Sequence, residues 1–379
     1  MQVYLDNAAT TRMLPAVRDA MLPYFCETYG NPSGFHSVSR EAHRALDEAR
    51  RTTAKCLGAE PGEIVFTGGG SEGDAMLLRG AARACRAKGS HIVTSAIEHH
   101  AVLRTLEAMQ AAGEATVTVL PTDAEGRVSA EQVRATIRPD TVLVSVMAAN
   151  NEVGTIEPIA AIGAVCREAG VLFHTDAVQA IGQIPINVKE LPIDLLTLTA
   201  HKFHGPKGAG AVYIRKGVRV EPLIAGGEQE SRRRAGTENV PGIVGLAAAL
   251  RIATDGLAEN AARMTRLRDR LISGIEAAIP TAILNGSRTD RLPNNVNVSF
   301  PGVRSEGLLM RLDLCGVAAS AGSACTAGSL EPSHVLLALG ASPERAQSAL
   351  RLTLSSLTTD EEIDCVLSVL PEAVRLLSV

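Results

Sequence analysis

An apolar run that ends on a lysine lies near the middle of the chain, at Leu195-Leu196-Thr197-Leu198-Thr199-Ala200-His201-Lys202. A turn rich in glycine and proline follows at 205–208. The run predicts a buried strand, so we expect Lys202 where an interior strand meets a loop. An amine at such a point is partly desolvated and can be held neutral, which is the state that Schiff-base chemistry requires.

A second interior segment, 171–177, carries Asp176 at its end. A lysine and an aspartate at the ends of adjacent buried strands are the pair that a pyridoxal phosphate site needs. The lysine attaches the cofactor, and the carboxylate keeps the pyridine nitrogen protonated. Taken alone, each residue is more often an exposed lysine or a turn or capping aspartate. The two together favour a cofactor site.

Short strand-like segments alternate with helical ones through the first two-thirds of the chain. The strand-like segments are 63–66, 91–94, 116–120, 141–146, 171–173 and 195–198. This alternation predicts an α/β layer with a mostly parallel sheet, whose ligands bind at the carboxyl ends of the strands. From about residue 258 the pattern changes to an amphipathic helix (261–278), a strand (295–300) and a final helix. We therefore expect a large domain over 13–257 and a smaller α+β domain formed by 1–12 and 258–379.

Composition narrows the class of protein. The 379 residues are 46% hydrophobic and 21% charged, which is typical of a folded globular chain. A net charge of −4 gives no basic field for nucleic acid or an anionic membrane. The chain shows no signal peptide and no transmembrane run, and its 7 cysteines lack CxxC spacing. These features predict a cytoplasmic protein with neither a nucleic-acid nor a membrane partner.

A glycine-rich segment, Gly68-Gly69-Gly70-Ser71-Glu72-Gly73, follows a predicted strand and opens a helix. Backbone N–H groups at a helix N-terminus, together with a serine hydroxyl, can bind a phosphate. The segment also matches G-x-G-x-x-G, but no clear acidic residue follows about 20 positions later at a strand end. We favour a monophosphate, and a nucleotide-dependent oxidoreductase is the alternative.

Polar residues after other strands add to this site. One histidine of Glu98-His99-His100 can stack on a planar ring, and an amide of Asn150-Asn151 can bind a phenolate-like oxygen. A metal site built from histidines 99, 100, 201 and 204 lacks a carboxylate at ligand spacing, so we predict no metal.

Cys325 lies in a stretch of small residues at 318–329. Such a stretch buries little apolar area, so we expect it to be mobile. A lone thiol on a mobile, exposed loop has the access that nucleophilic sulfur chemistry needs. The other six cysteines lie in helical or apolar contexts and are expected to be buried.

Taken in chain order, the segments described above resemble those of the cysteine desulfurases of the nitrogen-fixation and iron–sulfur-cluster type. These are class-V aminotransferase-like enzymes. The resemblance runs from residues 4–11 to 358–364, and 329–334 is similar to the long-loop group. The other segments that carry it are Gly30-Asn31-Pro32-Ser33, His174-Thr175-Asp176-Ala177-Val178-Gln179, Ala200-His201-Lys202, Arg234-Ala235-Gly236-Thr237 and Gly322-Ser323-Ala324-Cys325.

The resemblance implies an α/β fold-type-I pyridoxal 5′-phosphate-dependent transferase that forms a homodimer. Its small domain would carry the catalytic cysteine loop at about 318–330. L-Cysteine would become L-alanine, leaving a persulfide on Cys325 for a sulfur acceptor or cluster-scaffold protein that the sequence does not identify. The alternatives are a non-catalytic sulfur-carrier or assembly subunit, and a selenocysteine lyase-like activity.

The resemblance also assigns roles to individual residues. The catalytic residues would be Cys325, Lys202 and His99. The cofactor would contact Lys202, Asp176, Gln179, His99, Asn151, Gly70, Ser71, Thr199, His201 and, from the other subunit, Thr237. The substrate would contact Arg351, Asn151 and Asn7. The chain departs from the family's pattern at Gly73, where serine is usual, at Glu228, where histidine is usual, and at Ser231-Arg232, where Arg-Gly is usual.

Overall fold

The structure is a computed structural model that describes residues 1–322 and 332–378. Its strands are β1 Val3–Tyr4, β2 Ile64–Thr67, β3 His91–Ser95, β4 Thr116–Leu120, β5 Thr141–Ser145, β6 Leu172–Asp176, β7 Leu195–Thr199, β8 Gly210–Ile214, β9 Ile283–Leu284, β10 Asn295–Ser299, β11 Val317–Ala318 and β12 Ala349–Thr353. Its α-helices are α1 Pro15–Met21, α2 Pro23–Cys26, α3 Ser37–Leu57, α4 Gly70–Ala84, α5 His100–Ala111, α6 Ala130–Thr136, α7 Ile159–Glu168, α8 Val240–Asp255, α9 Leu257–Ala278, α10 Ser305–Leu314, α11 His334–Ala338, α12 Pro343–Ala346 and α13 Asp360–Leu377.

The main sheet has seven strands in the order β2-β8-β7-β6-β5-β3-β4. The pairs from β4 through β7 are parallel, and β8 runs antiparallel to both β7 and β2. Every residue of β3, β5, β7 and β8 is buried, as expected for a sheet covered by helices on both faces. The predicted α/β fold with a mostly parallel sheet is confirmed. The sequence did not reveal β8, which follows the Gly/Pro-rich turn.

The carboxyl ends of several strands meet at one edge of this sheet. β6 ends on Asp176, and β7 runs into a 3₁₀ turn, Ala200–Lys202. At the same edge β2 leads into α4 and β3 leads into α5. Polar residues that are far apart in sequence are therefore brought to one place.

A separate set of elements packs around a second hydrophobic core. β9, β10 and β12 form an antiparallel sheet, and β1 pairs in parallel with β11. Val3 and Leu5 of the N-terminal segment share a buried cluster with residues of α9, α10 and α13. The expected helix and strand of this part occur as α9 and β10, although α9 begins earlier, at Leu257. On this packing we propose domain boundaries at 13–257 for the large domain, and 1–12 with 258–379 for the small one.

No single helix within the described ranges is long and apolar enough to cross a membrane. α8 and α9 pass that test only as a pair, and they are bent by 71° relative to each other.

Candidate active site

A cavity of about 370 Å³ opens at the carboxyl edge of the main sheet. Its wall is formed by Ala8, Ala9, Gly70, Ser71, Asp74, His99, His100, Met147, Asn151, Glu152, Asp176, Val178, Gln179, Thr199, His201, Lys202, His334 and Arg351. Most of the residues singled out from the sequence therefore lie around one space, whose volume is in the range typical of small-molecule sites.

Lys202 and Asp176 lie in this wall because β6 and β7 are parallel neighbours. Asp176 is paired in register with Thr197, five residues before Lys202. Lys202 is half-buried, and its Nζ donates hydrogen bonds to the carbonyl oxygens of Ala8 and Ala9, the latter at 2.8 Å. The neutral amine expected from the sequence stays a prediction.

The Asp176 carboxyl is enclosed and has a perturbed acidity. Burial raises the pKa of Asp176 to about 6, although a hydrogen bond from the Val178 N–H and the positive charge of Lys202 both lower it. The Val178 nitrogen lies 2.9 Å from Oδ1. A carboxyl held near the midpoint of its titration in a closed site can pair with a protonated ring nitrogen.

The N-terminus of α4 provides a place for an anion. The helix begins at Gly70, and its N-cap residue, Gly69, contributes no capping side chain. The first N–H groups of an α-helix lack partners within the helix, and Gly70 and Ser71 lie at the cavity. A Cβ on Gly70 would come within 3.0 Å of the Val178 Cγ2, so a larger side chain would crowd this corner.

Gly73 has a packing role that the sequence did not reveal. A Cβ there would lie 2.8 Å from the Thr197 Cγ2 and 2.9 Å from the Val212 Cγ1. The absence of a side chain therefore lets α4 lie close against β7 and β8. Glycine in place of the usual serine at position 73 therefore affects helix–sheet packing. From the sequence, Gly73 belonged to the segment predicted to bind a phosphate.

His99 is held in one orientation at the start of α5. As the N-cap residue it accepts a hydrogen bond at Nδ1 from the Ala101 N–H, 3.1 Å away. The proton of the neutral ring is therefore on Nε2. Burial lowers the pKa of His99 to about 4, and Lys202, His100 and His334 act in the same direction. The ring is uncharged at neutral pH and borders the cavity.

The remaining polar groups are fixed by the N-terminal segment. The Gln179 Nε2 donates to the Ala8 carbonyl at 3.0 Å, and the His201 Nδ1 lies 3.2 Å from the Thr10 Oγ1. Burial lowers the pKa of His201 to about 4, so it too is neutral at pH 7.

Arg351 is the largest fully buried side chain of the described residues, at 1% exposure. One terminal nitrogen donates to Asp6 Oδ1 at 3.0 Å, and the other donates to the Asn151 carbonyl at 3.2 Å. Its Nε has no hydrogen-bond partner within the described chain. A guanidinium that is held in this way can bind a carboxylate through two nitrogens.

Two described residues named from the sequence, Asn7 and Thr237, do not line the cavity. Asn7 is buried, and its side-chain nitrogen donates to the Thr353 carbonyl at 2.8 Å. Thr237 is exposed and borders a different pocket, which includes Gly68 and Arg234. Cys325, together with its loop, lies outside the described residues.

Several residues in the cavity wall were not singled out as site residues from the sequence. Asp74 and Glu152 are buried acids, and His100 packs against His334 with ring centroids 4.6 Å apart. Burial raises the pKa of nearby Glu98 to about 8. The helical period could have revealed Asp74, because it lies four residues after Gly70 and hence on the same face of α4. In the described part of the chain, no three His, Cys, Asp or Glu residues are arranged to hold a metal ion.

Comparison with known proteins agrees with this geometry. Residues 3–366 match the family model described as aminotransferase class-V. A relative from Methanosarcina thermophila named "Cysteine desulfurase IscS" is 52% identical over 373 residues, covering 98% of this chain and 92% of the relative. A solved structure described as a NifS-like protein superposes with a TM-score of 0.94 at 40% identity, with both chains covered completely. Another, "SspA in complex with cysteine", has a TM-score of 0.83 at 37% identity and covers 95% of this chain and all of its own.

The fold, the cavity and the family match define an enzyme of the aminotransferase class-V type, whose cofactor is pyridoxal 5′-phosphate. Within that class the chain belongs to the cysteine desulfurases. The resemblance identified from the sequence is confirmed, and the dinucleotide interpretation of the glycine segment is wrong.

Proposed function

We propose that the cavity holds pyridoxal 5′-phosphate, with Lys202 as its covalent anchor and Asp176 as the partner of its ring nitrogen. One observation carries this proposal: a lysine, a buried aspartate and an uncapped helix N-terminus border the same space. These three features complement an aldehyde, a pyridine nitrogen and a phosphate. When bound, the cofactor supplies an electron sink that weakens the bonds at the substrate's α-carbon.

The other cofactor contacts follow from the cavity wall. Gly70, Ser71, Thr199 and His201 are the proposed phosphate ligands. The His99 ring would stack on the pyridine ring, and Gln179 and Asn151 would contact the ring oxygen. All of these residues border the cavity, which supports their assignment.

We propose that Arg351 binds the carboxylate of L-cysteine, assisted by Asn151 and Asn7. Arg351 borders the cavity with a buried guanidinium, and a relative of known structure is described in complex with cysteine. The present hydrogen bond of Asn7 to Thr353 holds the N-terminal segment in place, so its contribution to the substrate site would be indirect.

Two groups can move protons at the substrate. The Lys202 amine would take the proton from the α-carbon, and the neutral His99 would donate from Nε2 to the substrate or accept a proton there. The Cys325 thiolate would then attack the substrate sulfur, so that an S–S bond forms as the C–S bond breaks. The electron pair of the C–S bond goes to the β-carbon, which takes up a proton, so that alanine leaves and Cys325 retains the persulfide.

We propose that this sulfur passes to an acceptor protein, and that the pathway is iron–sulfur cluster assembly. The relatives named IscS support this assignment.

A homodimer would complete each site. Thr237 is exposed and lies away from the cavity of its own chain, as expected of a residue that serves the cavity of a partner. Exposed apolar side chains lie at Leu22, Phe25, Tyr29 and Phe35, and Phe35 is 95% exposed. An apolar surface of this kind is typical of an interface. A fully active monomer in light scattering would rule out this arrangement.

The proposed activity can be tested by intact-mass analysis after incubation with cysteine. We expect one added sulfur atom on the wild-type chain, formation of alanine, and no added sulfur on the Cys325→Ser variant. Cys26→Ser is the matched control, because Cys26 is exposed; the prediction that the other six cysteines are buried is correct only for Cys166. Sulfur retained on the Cys325→Ser variant would contradict the proposal.

A further inference from the structure

Asp74 forms part of the cavity wall, and nothing in the proposed function uses it. It is 1% exposed, and its Oδ1 has no hydrogen-bond partner within the described chain. It lies on α4, on the side that packs against the main sheet, and the nearby Thr197 side chain acts to lower the pKa of its carboxyl. Thr197 is the register partner of Asp176. Two buried carboxyl groups therefore lie together at the floor of the cavity.

Among residues 1–322 and 332–378, Asp74 forms no ion pair with a lysine or an arginine. The His174 Nε2 lies 3.6 Å from the Asp74 Oδ1, but burial lowers the pKa of His174 to about 3, so the ring is neutral at pH 7. His174 belongs to a chain of polar groups, with Nδ1 2.8 Å from the Ser145 Oγ and Nε2 3.2 Å from the Thr197 Oγ1. The other titratable groups that act on Asp74 are the acids Asp176 and Glu98.

We propose that Asp74 is a positioning residue of the cofactor site that works as a neutral, protonated carboxylic acid. It seals the cavity floor beside Asp176, so that Asp176 alone presents a negative charge to the ring nitrogen. The inference rests on the proposed pairing of Asp176 with that nitrogen.

The physical reason is the cost of two charges in a dry site. Burial raises the pKa of Asp74 well above its usual value, and the negative charge of Asp176 adds to the effect. Two adjacent buried carboxyls do not both ionise, as in the carboxyl pair of aspartic proteases. Asp176 is the one that ionises, because it has the Val178 N–H and the charge of Lys202 to stabilise it.

A neutral Asp74 and a charged Asp74 predict different effects of replacing the residue with asparagine. Asparagine has the shape of a protonated aspartic acid and keeps its hydrogen-bonding ability, so Asp74→Asn should preserve the site. Alanine would leave a space beside Asp176 that admits water. Water would solvate the Asp176 carboxylate and weaken its hold on the ring nitrogen.

The chain offers a matched control in Glu157. This residue is also buried at 2% exposure, its Oε1 lacks a hydrogen-bond partner in the described chain, and burial raises its pKa to about 8. It accepts a hydrogen bond from the Val128 N–H at 2.9 Å and does not line the cavity. Glu157→Gln and Glu157→Ala therefore repeat the same chemistry away from the cofactor.

The first measurement is infrared spectroscopy of the full chain at pH 7, with and without cofactor. We expect the wild type to show the carbonyl stretch of a protonated carboxyl that Asp74→Asn removes. The second measurement is cofactor affinity, together with the pH midpoint of the bound cofactor's absorbance. Asp74→Asn should keep the cofactor affinity within about threefold of wild type and leave the pH midpoint unchanged. Asp74→Ala should weaken the affinity about tenfold, which is the effect of one lost hydrogen bond, and should lower the pH midpoint. Glu157→Ala should change neither.

Stability of the cofactor-free chain gives a third measurement. A carboxyl whose pKa is raised by folding stabilises the protein fully below its unfolded value, about 4, and this stabilisation is lost as pH rises through the folded value. The melting temperature of Asp74→Asn should therefore increase relative to wild type as pH rises above about 4.

Two results would overturn the inference. One is a difference spectrum between wild type and Asp74→Asn that shows no lost carboxyl band, because the bands of protonated Glu98 and Glu157 are common to both and cancel; this would mean that Asp74 is ionised. The other is an Asp74→Asn variant that impairs the cofactor as much as Asp74→Ala, which would mean that the charge is needed. The infrared result stands even where Asp74→Ala does not fold. The proposed pairing of Asp176 with the ring nitrogen has a separate test. An Asp176→Asn variant with an unchanged pH midpoint of the cofactor's absorbance would contradict that pairing.

Discussion

Replacing Arg351 with alanine should weaken the binding of cysteine without removing the cofactor. The guanidinium is 1% exposed and is held by Asp6 and by the Asn151 carbonyl. Hydrogen bonds to a charged group contribute about 1.5–3 kcal/mol. Because each 1.4 kcal/mol is a factor of ten, the dissociation constant for cysteine should rise roughly 10- to 150-fold. Arg351→Lys keeps the charge but loses the planar fork, so its loss should be smaller.

The assay is a titration with cysteine, followed through the absorbance of the bound cofactor, with KM from alanine release as a second readout. Cysteamine lacks the carboxylate and should bind equally to the wild type and to Arg351→Ala. Arg345→Ala is the control variant, since Arg345 donates to Asn285 Oδ1 at 2.6 Å and does not line the cavity. An unchanged dissociation constant for cysteine in Arg351→Ala, with full cofactor content, would refute the assignment.

Three further changes test other parts of the molecule. Peptide mapping after borohydride reduction should find the cofactor on Lys202, and finding it on Lys207 would contradict the site. Cys325→Ser should abolish alanine formation but keep the cofactor's absorbance, and near-normal turnover would exclude the persulfide mechanism. Arg232→Gly should raise the free energy of unfolding by about 0.5–1 kcal/mol. A left-handed conformation costs a residue with a Cβ about 1–2 kcal/mol, and glycine avoids this cost. Part of the resulting stabilisation is lost because glycine gives the unfolded chain more conformational entropy. Arg232 has φ 64°. Arg233→Gly, at φ −88°, should lower that free energy, and denaturant titration compares the two.

The sequence predicted the parts of the fold that depend on local pattern. The strands that end at Asp176 and lead to Lys202 are short and apolar, so their burial and their parallel arrangement followed from periodicity. β8 was missed because Gly210–Ile214 follows a turn and pairs antiparallel to β7, which alternation of strands and helices does not reveal. The role of Gly73 was also missed, since its contacts with Thr197 and Val212 exist only once helix and sheet are packed.

The pKa values of the acids and histidines around the cavity could not be predicted from the sequence. Asp74 and Glu98 have the usual pKa of a carboxyl in an unfolded chain, and their raised pKa values depend first on burial and then on the charge of Asp176, which acts on both. The same holds for His99, whose neutrality depends on enclosure and on neighbours from α5 and α11. Residue type gives the candidate groups, but protonation state is a property of the folded site.

The N-terminal segment contacts both the residue proposed to hold the cofactor and the residue proposed to bind the substrate, which only the structure reveals. Asp6 pairs with Arg351, and the carbonyls of Ala8 and Ala9 accept hydrogen bonds from Lys202. In the proposed role of Lys202, covalent attachment of the cofactor to its nitrogen would remove donors that these carbonyls use. In the proposed role of Arg351, a substrate carboxylate would compete with Asp6 for the guanidinium. Both contacts belong to residues 6–9, so the proposed cofactor anchor and the proposed substrate ligand are held by one short stretch of chain.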